Sequence, residues 1–322
     1  MLSGDSRLWI DLVDDFFMKK AIITGATGLV GMSVAKHFSK LGIEVLCLGR
    51  QILSPEDISR HFGVGSSYLR IDMEDMASLV EKVEAMAWSP GAECVFFNCA
   101  WGGDKKLTDG SFGEQLSNAV HAAEAVYSAK KLGCIKFVNT GTLEETFVEQ
   151  SLEWANEHPY QSTQPDYALA KLASRDMCMM VAYLEKIDYV HARLSVPLAS
   201  DLSRGTYVAA TLQKIIEGKP YEEPKNKQLF DIIFIDDVAR AYYLIGIKGK
   251  NKANYFIGTS RLMTLSQHFE IFQCLVSGKY SDTVANATAV SVVNFDTEEL
   301  YQDTGFVSTI RFQNIIKNLV NA

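Results

Sequence analysis

The sequence predicts an α/β fold of the doubly wound type: a parallel sheet wrapped by helices, with a smaller C-terminal lobe beside it. Three observations carry this expectation. From Lys19 onward, short β-branched or apolar runs alternate with longer amphipathic stretches, the order a parallel sheet needs because each crossover must return over the sheet. The first run opens directly into a glycine-rich turn, Thr24-Gly25-Ala26-Thr27-Gly28-Leu29-Val30-Gly31. Finally, 322 residues, 48% hydrophobic and 22% charged, can bury a large core without disulfide or metal staples and do not suit a disordered or fibrous chain.

The strand candidates are Lys20 to Thr24, Glu44 to Leu48, Ser67 to Ile71, Cys94 to Cys99 and Lys136 to Asn139. Between and after them lie helical stretches at Met32 to Leu41, Met76 to Met86, Glu114 to Leu132 and Tyr167 to Glu185. Gly42 and Gly133 follow two of these, where a left-handed residue closes the last turn. Further strands are expected at Asp188 to Arg193 and Leu229 to Ile235, the second running into a helix with Asp236 as its N-cap. A final amphipathic stretch spans Ile310 to Val320. Residues 1 to 17 carry a crowded apolar face (Leu8, Trp9, Ile10, Leu12, Val13, Phe16, Phe17) among acids. They read either as an appended helix or as a stretch ahead of a natural start at Met18.

Composition narrows the partners. Thirty-one basic against thirty-nine acidic side chains leave a net charge of −8 with no long basic run, which argues against nucleic acid. The longest apolar run, Met177 to Leu184, is eight residues, far short of the ~20 that span a bilayer. The N-terminal segment lacks the basic start and apolar centre of a secretory signal, so a cytoplasmic protein is expected. Cys47, Cys94, Cys99, Cys134, Cys178 and Cys274 form no CxxC pair; reduced structural thiols are expected, and no metal site.

The glycine spacing has a mechanism. Gly25 permits the tight turn, Gly28 lets amides of Thr27, Leu29 and Val30 approach a pyrophosphate, and Gly31 lets the helix pack close to the strand. The positive end of the helix then holds the phosphates, which marks a Rossmann-type dinucleotide site. NAD sites commonly place an acid at the end of the second strand; here that position reads Leu48-Gly49-Arg50. With no carboxylate to repel a 2′-phosphate and Arg50 able to clasp one, NADP(H) is favoured over NAD(H). The dinucleotide domain is expected over 18–193 plus 231–258 and the substrate lobe over 194–230 plus 259–322.

Tyr167-Ala168-Leu169-Ala170-Lys171 puts a phenol and an ammonium one helical turn apart, where a cation favours the phenolate and lowers the tyrosine pKa. Tyr127/Lys131 and Tyr221/Lys225 share the spacing. Pro224 interrupts the latter, and only Tyr167/Lys171 follows the strand that ends in Thr140-Gly141-Thr142.

Together, TGxxGxxG, a hydroxyl residue after the fifth strand and YxxxK resemble the extended, nucleotide-sugar-modifying branch of the short-chain dehydrogenase/reductase superfamily. The likeness runs from about Lys19 to the C-terminal helix. It implies that Thr142 bonds the substrate oxygen, Tyr167 is the general acid or base, and Lys171 tunes Tyr167 and holds the nicotinamide ribose. It also implies cofactor contacts at Asp72 and Met73, at Cys99 and Ala100 after the fourth strand, and at Asn118. Phe230 to Val238 and Tyr255 to Gly258 resemble late segments of the family. A homodimer through the helices holding Asn118 and Tyr167 is implied as well.

The dehydratases of this branch carry an Asp-Glu pair after the catalytic hydroxyl residue, and Leu143 stands at the Asp position here. The expected reaction is therefore reduction by NADPH of the C4 ketone of a nucleoside-diphosphate 4-keto-6-deoxyhexose. The alternatives are an epimerase with no net redox change and a non-catalytic NADP-binding sensor, the latter disfavoured by the presence of both Tyr167 and Lys171. Trp101, Thr142, Glu144 and Glu145 are candidates to touch the sugar. Arg193 meets either the diphosphate or an ion-pair partner at the domain seam.

Overall fold

The computed structural model describes residues 18–320 apart from 87, 104–107, 154–163, 203–205, 225–227 and 280–294; the extension 1–17 lies outside the described residues. In chain order the elements are β1 (Lys20–Thr24), α1 (Leu29–Lys40), β2 (Glu44–Gly49), α2 (Pro55–Phe62), β3 (Ser67–Arg70), a 3₁₀ turn (Met73–Ser78), α3 (Leu79–Ala85), β4 (Cys94–Asn98), α4 (Phe112–Lys131) and β5 (Lys136–Thr142). There follow α5 (Leu143–Glu153), α6 (Pro165–Glu185), β6 (Asp188–Leu194), β7 (Val196–Leu198), α7 (Tyr207–Ile216), β8 (Leu229–Phe230) and β9 (Ile232–Phe234). The chain ends with α8 (Ile235–Lys248), β10 (Asn254–Ile257), β11 (Met263–Thr264), α9 (Leu265–Val276), α10 (Glu298–Thr304) and α11 (Phe312–Val320).

Seven strands form one sheet in the order β3-β2-β1-β4-β5-β6-β10, and every pairing is parallel. The fold is Rossmann-type, as the alternation predicted. The order reverses between β1 and β4, so the crevice outside their carboxyl ends is where such a sheet takes a ligand. Both faces are covered. Val34 and Phe38 of α1, Tyr242 and Ile245 of α8, and Phe306 after α10 pack on one side; Leu79, Val83, Val126 and Cys178 pack on the other. A third core joins Leu198, Leu212, Ile232, Phe234, Phe272 and Ile316 in the C-terminal part. The cores interleave along the chain: Phe234 packs with the C-terminal cluster, whereas Phe306 packs with the sheet.

Local chemistry explains several boundaries. Ser111 and Glu114 form a reciprocal capping box that starts α4, and Thr264 with Gln267 does the same for α9, satisfying amides that have no intrahelical partner. Gly42 and Gly133 take φ of 79° and 78°, as expected of helix stops. Buried Lys136 donates to the carbonyls of Ile245, Gly246 and Gly249 at 3.3, 3.0 and 2.7 Å. A cation there meets the negative end of α8 and ties it to the sheet, at the cost of a lysine pKa lowered to about 8 by burial.

Three local expectations need correction. Asp236 is not an N-cap: α8 begins at Ile235, its N-cap is Phe234, and Asp236 lies in the first turn accepting from Ser200. The helix expected from Met76 opens instead as the 3₁₀ turn at Met73–Ser78, capped by Asp72. Helix α5 starts without a linker at the end of β5, where only a catalytic strand end was expected.

Among the described residues no helix is long and apolar enough to cross a membrane. All six cysteines are free.

Candidate active site

The glycine turn lies at the carboxyl end of β1, and its glycines are required sterically. Gly25 has φ of 61°, and a Cβ there would lie 2.8 Å from the backbone of Ala100. A Cβ on Gly31 would lie 2.5 Å from the carbonyl oxygen of Gly25, and one on Gly28 would lie 3.2 Å from it. Gly28 is the N-cap of α1 and supplies no side-chain cap. The first-turn amides of Leu29 and Val30 are thus left for a ligand. Thr27 packs beside Gly49, where an added Cβ would lie 3.2 Å from its methyl group.

A buried polar chain fixes the strand ends around this turn. Thr24 Oγ1 accepts from the amides of Cys99 and Ala100, both at 3.1 Å, and donates to Asn98 Oδ1 at 2.7 Å. Asn98 donates on to Asn139 at 2.9 Å, and Asn139 to Ser174 at 3.2 Å. The segment after β4 therefore has one set position. Cys99 accepts from Thr140 at 3.6 Å, and burial raises its thiol pKa to about 11, which makes it an inert packing group.

Arg50 is exposed at the end of β2, its Nε 3.9 Å from Asp72 Oδ2. Asp72 Oδ1 accepts from the Met73 amide at 2.6 Å. Arg70, at the end of β3, donates to the Arg50 carbonyl at 3.1 Å, so two arginines stand side by side at this rim. Asn118 is committed to the backbone. Its Oδ1 accepts from the Gly102 amide at 2.7 Å, and its Nδ2 donates to the carbonyls of Gly102 and Glu114 at 3.0 and 3.2 Å.

Tyr167 and Thr142 come together. The Tyr167 hydroxyl is hydrogen-bonded by the Thr142 side chain, while the Thr142 oxygen also accepts weakly from the Glu144 amide at 3.4 Å. Lys171 is buried and donates to the Thr140 carbonyl at 2.8 Å. Its ammonium lies 3.8 Å from the centre of the Trp101 ring, a cation–π contact. Trp101 in turn donates from Nε1 to Gln115 at 2.8 Å and meets the Tyr167 ring edge-on, 5.9 Å between centres.

This arrangement changes the expected electrostatics. Burial pushes the Tyr167 phenol up, the Thr142 bond opposes that, and the carboxylates of Glu145 and Glu144 push it further up. Lys171 sits 5.9 Å from the Tyr167 ring centre, with its charge directed to Thr140 and Trp101, so the tyrosine is a protonated acid at neutral pH rather than a loosened one. Burial lowers Lys171 to about 8, with Glu145 the largest influence in the other direction.

Arg193 takes the ion-pair alternative. Its Nη1 donates to Thr146 at 2.7 Å and lies 3.7 Å from Glu149. Glu144 is buried in the first turn of α5. Glu145 is buried beneath the strand end, where it accepts from the Thr142 amide and pairs with His191.

Sequence reasoning missed a second group of residues. In the C-terminal part a small cleft is lined by Ile232, Phe234, Arg261, His268, Arg311 and Phe312, among others. Arg311 is held below its ordinary value first by burial and then by the neighbouring guanidinium of Arg261. The generic text of loops 259–261 and 309–311 gave no signal that two cations would converge. Among the described residues no cluster of His, Cys, Asp and Glu could hold a metal.

The glycine turn and the Tyr167/Thr142/Lys171 group are thus set at one end of a parallel sheet in the manner of a nicotinamide-dependent enzyme. Residues 21–258 match the model of the NAD dependent epimerase/dehydratase family, and the chain belongs to that family, within the extended short-chain dehydrogenase/reductase superfamily. No curated protein matches the sequence. Among solved structures, the Bordetella bronchiseptica enzyme WbmG in complex with NAD and UDP superposes with TM-score 0.69 at 16% identity, covering 95% of this chain and 94% of that one. UDP-glucose 4-epimerase from Thermotoga maritima, with UDP-glucose, gives 0.68 at 16%, covering 94% and 97%. UDP-N-acetylglucosamine 4-epimerase from Bacillus cereus gives 0.68 at 15%, covering 94% and 95%. At such identities the likeness establishes the fold.

Proposed function

We propose that the protein moves a hydride at C4 of a nucleoside-diphosphate sugar, with Tyr167 as the proton donor or acceptor at the C4 oxygen. The observation that carries this reading is the Tyr167 hydroxyl resting on the Thr142 side chain at the carboxyl end of a sheet whose first turn is the glycine cradle. A nicotinamide dinucleotide fits that cradle, because each glycine stands where a Cβ would meet backbone; when bound it supplies or takes the hydride. Tyr167 and Thr142 then share the sugar oxygen, and their two hydroxyls stabilise the charge that develops on it. Lys171 holds the ribose and Trp101 screens it from water. Arg261 and Arg311 offer the diphosphate a paired cationic seat.

Net reduction of a 4-keto-6-deoxyhexose with NADPH is the first form of this activity. It is supported by Arg50 and Arg70 at the ribose rim and by the absence of a carboxylate at the end of β2. Epimerisation with bound cofactor is the second, favoured by the family and by neighbours that are themselves 4-epimerases. A screen of NADPH oxidation against 4-keto-6-deoxy nucleotide sugars and UDP-sugars, with product configuration read by NMR, separates them. Stoichiometric loss of NADPH marks a reductase, and sugar conversion without loss marks an epimerase. Conversion of no sugar in either form overturns the reading.

Cofactor choice is tested at one residue. Arg50→Asp should weaken NADPH by about 1 to 3 kcal/mol, the scale of a charge-assisted contact, and leave NADH nearly unchanged in a fluorescence titration. An equal loss for both removes the argument for NADP(H).

We also propose a homodimer through α4 and α6, which expose Val120 and Tyr127 on one helix and Leu169, Met180 and Leu184 on the other. Light scattering should give twice the chain mass, and Met180→Glu should shift it toward the monomer. A wild-type chain that stays monomeric at micromolar concentration speaks against this contact.

A further inference from the structure

Behind the Tyr167/Thr142 pair lies a buried, hydrogen-bonded couple of a carboxylate and an imidazole. Glu145 is fully buried and His191 is 1% exposed. Glu145 Oε1 accepts from the Thr142 amide at 2.7 Å, and Oε2 lies 2.8 Å from His191 Nε2. A carboxylate only accepts, so Nε2 carries the hydrogen. On its other side His191 Nδ1 is 3.2 Å from the Tyr189 hydroxyl, which also reaches the Arg175 carbonyl at 3.2 Å. Gly141 makes the room: a Cβ there would overlap both His191 Nε2 and Glu145 Oε1. A pair of apolar side chains would fill such a space without the desolvation penalty that a buried charge carries. The charge is nevertheless kept, three residues from Thr142.

We propose that the Glu145–His191 couple is the positioning device of this site: it clamps the Thr142 amide so that the Thr142 hydroxyl stays on the Tyr167 hydroxyl, and it sets a fixed negative charge behind Tyr167 and Lys171. Neither residue touches the reacting atoms. The catalytic half of this inference rests on the reading of Tyr167 and Thr142 as the proton-transferring pair; the charge-setting half does not. Glu145 faces His191, Tyr189 and Arg193 on β6 and Tyr167 and Lys171 on α6. Lys171 faces Glu145, Cys99 and Cys178, with the Trp101 and Tyr167 rings beside it. Glu145 is the strongest charge keeping Lys171 protonated, so neutralising it moves the lysine to a lower pKa.

The test follows lysine Cε signals by NMR through a pH titration. Lys171 is assigned with Lys171→Met. Lys136, also near 8 but facing Asp188 and the end of α8, is assigned with Lys136→Met and serves as the internal control. In Glu145→Gln the Lys171 midpoint should move toward acid while Lys136 stays. The double variant Glu145→Leu/His191→Leu, which replaces the couple by an apolar pair, should fold, move Lys171 the same way, and lower kcat about 100-fold with KM nearly constant, as expected for a small misplacement of a reacting group. Glu145→Gln still accepts from the Thr142 amide and should recover most of that kcat, with its pH profile displaced toward acid. An unmoved Lys171 in both folded variants, or a double variant with native kcat, overturns the proposal. Retained turnover in Tyr167→Phe would instead sink the functional reading, and the Lys171 shift would still decide the charge-setting half.

Discussion

Tyr167→Phe abolishes turnover while leaving cofactor affinity nearly intact. The ring stays edge-on to Trp101 and the packing is kept, so only the hydroxyl and its bond to Thr142 are lost. A positioned acid or base contributes about 10²- to 10⁴-fold, and no other described group bonds both to Thr142 and to the ring pair at this strand end. The high Tyr167 pKa gives the expectation its direction: across the neutral range the phenol is protonated, poised to donate as hydride arrives at carbon. Steady-state rates and a cofactor titration on the same preparation check the split. A variant within threefold of the native rate excludes Tyr167 as the proton carrier. Loss of rate together with loss of cofactor binding would place the residue in binding instead.

What could be read from the sequence was what lies close in sequence. The glycine turn was legible because its three constraints fall within seven residues, between a strand and a helix. Tyr167/Lys171 was legible because one helical turn fixes the spacing, although the spacing says nothing of a third group. Trp101 comes from a different crossover, and its ring takes the ammonium that the pattern alone assigned to the phenol. Glu145 and His191 are 46 positions apart and meet only because β6 lies beside β5; nothing around either residue signals a buried charge. Asn118 and Arg193 were legible as polar residues near the site but not in their partners, which are backbone in one case and Thr146 and Glu149 in the other. Asp236 was misread because the strand ends one residue earlier than its apolar run suggests. The chemistry lies on Asp237, whose partners apart from Arg240 are more than 70 residues away.

Those partners make Asp237→Ala the largest expected stability change. The carboxylate is 1% exposed. It accepts from Ser308 at 2.9 Å, from the amides of Thr309 and Ile310 at 2.8 Å each, from the Thr309 hydroxyl at 3.1 Å and from Arg240 at 2.6 Å. Removing it leaves two amides without an acceptor, while Arg240 keeps the Val307 carbonyl and the Thr309 hydroxyl, at a cost of about 2 to 5 kcal/mol, or roughly 10 °C in Tm. The same loop leads into Arg311, so the cationic seat loosens with it, and the variant should weaken nucleotide binding beyond its loss of stability. These bonds hold the Asp237 pKa below the usual range, against its burial. A carboxylate depressed in the folded state adds stability above its unfolded value near ~4 and loses it as pH falls through the folded value. The Tm gap between the native chain and Asp237→Asn should therefore be full at neutral pH and close as pH falls below that value. Thermal melts across that range decide it: a gap that persists in acid, or an alanine variant that melts within 2 °C of native, would mean that the 308–310 segment is held by packing and not by this carboxylate.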